Sequence, residues 1–124
     1  MTTTESTTTR DLSISVTDSE GGALVSLSGR VSVDSSPALR EQLHAVLKRP
    51  SLPALTIDLA ELNYIDCSGV ATLIEALRIA RSHKTQLQLR GLRDRPRYFL
   101  EVTGLLRLFE TNGAASGSST PMVI

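Results

Sequence analysis

The order in which two hydrophobic periods follow one another constrains this chain most. Leu12, Ile14 and Val16 alternate with polar residues, the spacing of a strand with one buried face. Gly21-Gly22 supplies a turn and Leu24 to Ser28 returns as a second strand, which makes a hairpin. The period then lengthens. Leu39, Leu43, Val46 and Leu47 recur at helical spacing behind Ser36-Pro37, an N-cap residue with proline at the first helical position. Lys48 and Arg49 suit the negative end of that helix, and Pro50 stops it. Leu55 to Leu59 predicts a third strand, and a short loop leads to Asp66. A second helix begins there, with Val70, Leu73, Ile74 and Leu77 on one face. Leu87 and Leu89 mark a fourth strand ending at Gly91. A last helix starts near Arg95-Pro96, carries Phe99 and Val102 inward and ends at Gly104. Leu105, Leu106, Leu108 and Phe109 then close the core.

An opening hairpin followed by strand–helix–strand units specifies an α/β fold: a mixed four- to five-stranded sheet covered by helices. Right-handed crossovers make the second, third and fourth strands parallel and bring the loops 29–36, 60–68 and 91–96 to one edge. Sites in such sheets collect at that edge. A length of 124 residues suits one domain, expected over residues 11–111. Residues 1–10, mostly Thr and Ser, and residues 112–124, rich in Gly, Ala and Ser, hold too little apolar area to offset the entropy of ordering. Both read as mobile tails.

Basic and acidic side chains balance at 13 each, so no long-range field draws the chain to nucleic acid or to an anionic membrane. Aromatics make up 3%, which leaves little for base stacking. No apolar run approaches the roughly 18 residues of a membrane span. With no signal-like opening and a single cysteine, a reducing, cytoplasmic setting is expected. Cys67, His44 and His83 specify no metal site, and there is no Gly-rich phosphate loop ending in lysine, so no cofactor is expected. Arg90, Arg93, Arg95 and Arg97 cluster near the sheet edge, either to receive an acidic partner or a phosphate or as a solvated loop offset by Asp94 and Glu101.

The segment Asn63-Tyr64-Ile65-Asp66-Cys67-Ser68-Gly69-Val70 carries the clearest chemistry. Asp66 is placed to cap the following helix, its carboxylate accepting from the amide of Ser68 or Gly69. Ser68 then lies in the first turn, at the positive end of the helix dipole. Gly69 has no side chain, which would let another protein come close to Ser68. A phosphate on Ser68 would gain from the helix N-terminus and be repelled by Asp66, changing charge and shape abruptly. The same residues also make an ordinary helix start, and the local pattern leaves both readings open. Thr72, Glu75 and Ile79 follow Ser68 at helical spacing and share its face, flanked by Ala71 and Arg78. Ile79 there is either a docking contact or a residue packed under another element. Cys67 as an enzyme nucleophile is the weakest reading, since Asp66 disfavours a thiolate and no histidine is an obvious base.

The hairpin, Gly29-Arg30-Val31, Ser36-Pro37-Ala38-Leu39-Arg40, Ile57-Asp58-Leu59, Ile65-Asp66-Cys67-Ser68-Gly69-Val70 and Val102-Thr103-Gly104-Leu105 resemble, in that order, the succession in STAS domains. That family comprises anti-sigma factor antagonists and cytoplasmic domains of sulphate transporters. The resemblance covers nearly all of the expected domain, and the Asp-x-Ser-Gly turn is its most specific part. It implies a non-enzymatic bacterial regulator that switches partners. Ser68 matches the serine that is phosphorylated by a kinase which is also an anti-sigma factor. The unmodified antagonist binds the kinase and frees the sigma factor; the phosphorylated form lets go, and a phosphatase is a further expected partner. Asp66, Cys67, Ser68, Gly69, Thr72, Glu75, Ile79 and Ser32 form the expected partner-binding set. Ser32 stands where phosphorylated antagonists often carry an acidic residue, and Cys67 where many members carry a small hydroxyl residue. The family often ends in a further helix, where this chain is rich in Gly, Ala and Ser. The alternative implied is a stand-alone STAS subunit that docks, unphosphorylated, on the ATPase of a phospholipid transporter. Either way a monomer or weak dimer is expected, without nucleic acid and without insertion into a membrane.

Overall fold

The structure, a computed structural model, describes residues 3–9, 11–19, 21–92, 94–102, 104 and 107. The elements run β1 (Thr3–Thr9), β2 (Leu12–Ser19), β3 (Gly22–Val31), α1 (Ser36–Leu47), β4 (Ala54–Ile65), α2 (Cys67–Ser82), β5 (Gln86–Arg90) and α3 (Asp94–Val102). The sheet has five strands in the order β1-β2-β3-β4-β5. β1, β2 and β3 pair antiparallel, whereas β3, β4 and β5 run parallel. This is the mixed α/β sheet expected, with the hairpin at β2–β3.

Alternation on the strands puts most large apolar side chains on one face, with Leu24, opposite Thr17 and Thr56, half-buried on the other. Val16, Val25, Ile57 and Leu89 form one row across four strands, each paired with the next. Leu12, Ile14, Leu27, Leu55, Leu59 and Leu87 are buried beside them. The residues between, among them Ser13, Ser15, Ser26, Thr56 and Gln88, are polar and remain half-buried or exposed on the other face. Helical spacing brings Leu39, Leu43, Val46 and Leu47 of α1, and Val70, Leu73, Ala76, Leu77 and Ala80 of α2, into the same core. The core therefore lies between one sheet face and the helices.

Several expectations need correction. Residues 3–9, read as part of a mobile tail, form β1 along β2. Thr is β-branched and favours extended backbone, and the open side of β2 offers a ladder that requires no apolar side chain. β4 continues to Ile65 where a loop was expected from residue 60. Its register with β3 shifts between Ser26 and Ser28 and again between Gly29 and Arg30, so bulges hide the alternation while pairing persists. The N-cap of α1 is Ser35, one residue before the expected Ser36, and its hydroxyl donates to the carbonyl of Arg30 at 3.0 Å rather than capping the helix. In α3, Leu100 is fully buried and Phe99 is half-buried against the core, but Val102 is 58% exposed. Two residues at about 100° each carry Val102 away from the face that Leu100 defines. The closing segment expected at Leu105, Leu106, Leu108 and Phe109, and residues 112–124, lie outside the described residues.

Candidate functional site

β4 delivers Ile65 to the core, and the chain turns at once into α2. The amide of Asp66 donates to the carbonyl of Val31 at 3.2 Å, which ties this turn to the end of β3. Asp66 is extended and serves as the N-cap, as expected. Its Oδ1 accepts from the amide of Ser68 at 2.9 Å, from the amide of Gly69 at 3.2 Å and from the Ser68 hydroxyl at 2.6 Å. Burial pushes the Asp66 carboxyl up, but hydrogen bonds from Ser68 Oγ and from the amides of Gly69, Ser68 and Val33 outweigh it and hold the carboxyl below its ordinary value. Ser68 is half-buried with its hydroxyl proton committed to Asp66, so the oxygen's lone pairs are left for an incoming group. Cys67 beside it is exposed.

Gly69 plays a different part from the one expected. It is buried, and a Cβ there would come within 2.6 Å of Ile65 Cγ1 and 2.7 Å of Val31 Cγ1. The missing side chain makes room for the protein's own strands, not for a visitor. The stripe of Thr72, Glu75 and Ile79 is likewise turned inward. Thr72 is 7% exposed and its Oγ1 donates to the carbonyl of Ser68 at 2.9 Å. Glu75 receives Arg40 of α1 through Nε at 2.7 Å and an Nη at 2.9 Å, and His44 Nε2 stands 3.4 Å away. Arg40's hydrogen bond is the main influence that holds the Glu75 carboxyl below its ordinary value. Ile79 is half-buried against the core. This side of α2 faces α1, so these residues do not form the open surface expected of them.

The outward side of α2 follows the next phase of the helix. Cys67, Ala71 and Arg78 are exposed, a stripe that begins one residue before Ser68, and Ile74 borders it half-buried against the core. Val33, in the turn between β3 and α1, is 68% exposed, and its amide supports the Asp66 carboxylate. Val33, a lone valine in a polar loop, escaped the sequence reading, whereas Ile74 packs against the core and Ala71 is an exposed flank, both as expected. Ser32 is half-buried and spent on its own turn: its amide donates to Ser35 Oγ at 3.0 Å, and its carbonyl accepts from Ser35 and Ser36. In the basic cluster, Arg90 pairs with Asp58 at 3.3 Å and Arg97 with Glu101 at 3.1 Å. The side chains of Arg93 and Arg95 lie outside the described residues. Among the described residues no group of His, Cys, Asp or Glu is arranged to hold a metal ion, and no helix is long and apolar enough to cross a membrane.

A family model described as "Mlab, STAS domain" matches residues 14–110. The chain belongs to the STAS domain family. An anti-sigma-B factor antagonist of Listeria monocytogenes is 30% identical to this STAS domain over 84 residues, which is 68% of this chain and 73% of that protein. The crystal structure of an anti-sigma factor antagonist from Mycobacterium paratuberculosis superposes with a TM-score of 0.63 at 26% identity, covering 88% of this chain and 83% of that one. The anti-sigma factor antagonist SpoIIAA in its unphosphorylated form shares the fold, with a TM-score of 0.62 at 14% identity over 83% of this chain and 82% of its own. Within the STAS domain, the match takes in the Asp66–Gly69 turn and both elements that brace it.

Proposed function

We propose that this STAS domain is an anti-sigma factor antagonist that works by partner switching, with Ser68 as its phosphate acceptor and no catalytic step of its own. The observation that carries the reading is the geometry at Ser68. The hydroxyl is held 2.6 Å from Asp66 Oδ1 at the start of α2, near the exposed Cys67, Ala71, Arg78 and Val33. Transfer breaks the O–H bond of Ser68 and the terminal phosphoanhydride bond of ATP, forms an O–P bond and releases ADP and a proton. The new dianion sits at the positive end of α2 yet beside the Asp66 carboxylate, so the hydrogen bond there is replaced by repulsion. A partner docked over this turn would then face added bulk and charge that it had met before only as a small neutral hydroxyl. The partner that fits is a serine kinase that also acts as the anti-sigma factor, and the setting is the cytoplasm. The similarity to antagonists of Listeria and Mycobacterium supports the same reading.

Incubation with the cognate kinase and ATP, followed by intact-mass analysis and peptide mapping, tests it. One phosphate on Ser68, and loss of kinase binding in Ser68→Asp, is the expected result. No phosphate, or phosphate elsewhere, overturns the acceptor assignment. Co-purification with a transporter ATPase in place of a kinase overturns the antagonist reading itself.

A further inference from the structure

We propose that Asp66 relays a phosphate on Ser68 to Val33, so that modification withdraws an apolar contact as well as adding charge. This rests on Ser68 being the phosphate acceptor and adds what the partner loses when the phosphate arrives. The turn between β3 and α1 satisfies its own main chain almost completely. Ser32 N–H donates to Ser35 Oγ at 3.0 Å and Asp34 N–H to Ser32 Oγ at 3.3 Å. The amides of Ser35 and Ser36 donate to the carbonyl of Ser32 at 3.0 and 2.7 Å. Ser35 Oγ then donates to the carbonyl of Arg30 at 3.0 Å, which fastens the turn to its own strand. Among the described residues of the turn, only the amide of Val33 reaches outside it, to the Asp66 carboxylate. The main chains meet at the same place, since Asp66 N–H donates to the carbonyl of Val31 at 3.2 Å. Val33 is more exposed than Tyr98 or Val102 of α3. A lone exposed valine is ordinary in itself, but this one is held by the carboxylate that also holds Ser68.

That shared carboxylate accepts from the amides of Ser68, Gly69 and Val33 and from the Ser68 hydroxyl. Transfer from ATP replaces the O–H bond of Ser68 by an O–P bond and releases ADP and a proton. The shortest of these bonds, at 2.6 Å, then becomes a contact between two anions. The amides of Ser68 and Gly69 lose little by an exchange of partner, because phosphate oxygens at a helix N-terminus accept as a carboxylate does. The helix itself has no space to withdraw, since even a Cβ on Gly69 would come within 2.6 Å of Ile65 and 2.7 Å of Val31. The half-buried Asp66 side chain is the part that can turn. Turning away from the phosphate breaks its bond to the Val33 amide and passes that amide to water. The amides of Ser35 and Ser36, bonded inside the turn, are untouched. A partner shaped to the unmodified chain meets a new charge at Ser68 and loses a fixed apolar contact at Val33.

Amide hydrogen exchange followed by NMR tests the relay without a kinase, on the unmodified chain and on a chain synthesised with phosphoserine in place of Ser68. Exchange at Val33 should quicken about tenfold or more with the phosphate, while Ser35 and Ser36 keep their rates. Asp66→Ala in the unmodified chain should quicken Val33 in the same way. So should Asp66→Ser, a shorter side chain that still caps α2. In both variants the Ser35 and Ser36 amides report that the turn is intact. In a titration with the kinase, Val33→Ser should weaken binding of the unmodified chain about tenfold. Exchange at Val33 that ignores the phosphate, or stays slow in both Asp66 variants, overturns the relay and leaves Ser68 as the acceptor. Kinase binding indifferent to Val33→Ser overturns the contact that the relay is said to withdraw. A kinase that places no phosphate on Ser68 overturns the acceptor reading instead, and the relay falls with it as a switch.

Discussion

At the first turn of α2 a single carboxylate oxygen answers two amides and one hydroxyl, and the consequences for stability can be given a sign. The Asp66 carboxyl titrates below its ordinary value in the folded protein, so the unfolded chain takes up the proton first as pH falls. The stabilisation is complete above the unfolded value of about 3.9 and is lost as pH drops through the lower folded value. Urea unfolding of the wild type and of Asp66→Asn should therefore differ at neutral pH, and the difference should begin to shrink only once pH falls below about 4. Gly69 gives an opposite lesson about helix propensity. Alanine is the better helix former by about 1 kcal/mol. Gly69→Ala should nonetheless lose about 1–3 kcal/mol in urea unfolding, because its Cβ would press on Ile65 and Val31 at distances below 3 Å.

At the scale of elements, the rotation of α2 decides which residues another protein can meet. Thr72, Glu75 and Ile79 lie on the side of α2 that faces α1, held there by Arg40, His44 and the core, whereas Ser68, one turn earlier, is half-buried at the start of the helix. The outward stripe of Cys67, Ala71 and Arg78 predicts a separation of effects. Ala71→Glu and Arg78→Glu should weaken binding of the proposed kinase partner about tenfold or more in a titration. Thr72→Val should change it little, because the Ser68 carbonyl keeps its ordinary helical partner. The helices and the central strands were legible because apolar residues recur at the period each element imposes. The Asp66 cap was legible because its chemistry is local. The facing of α2 was not. A helix's own pattern gives the direction of its core but not the side on which a neighbouring helix will stand. Thr72 could be buried only because a backbone carbonyl one turn earlier takes up its hydroxyl. β1 was missed for a related reason: its stability comes from main-chain pairing with β2, which apolar content does not register. β4 was cut short because its bulges break the alternation.

Across the whole molecule, one apolar layer between the sheet and the helices supplies the hydrophobic stability, and β4 is one of its interior strands. Ile57, fully buried in the row that spans four strands, is the place where a truncation should be felt most widely. Ile57→Ala should lose about 2–5 kcal/mol in urea unfolding, a large part of the roughly 5–15 kcal/mol that holds an ordinary domain together. The same packing bears on Ser68, the residue before Gly69, whose missing Cβ lets the start of α2 lie against Ile65 and Val31. A helix start pressed so closely onto its strands has little room to retreat. A phosphate added there by the proposed switch would have to project outward, like relief on the face of a coin, to be read by touch.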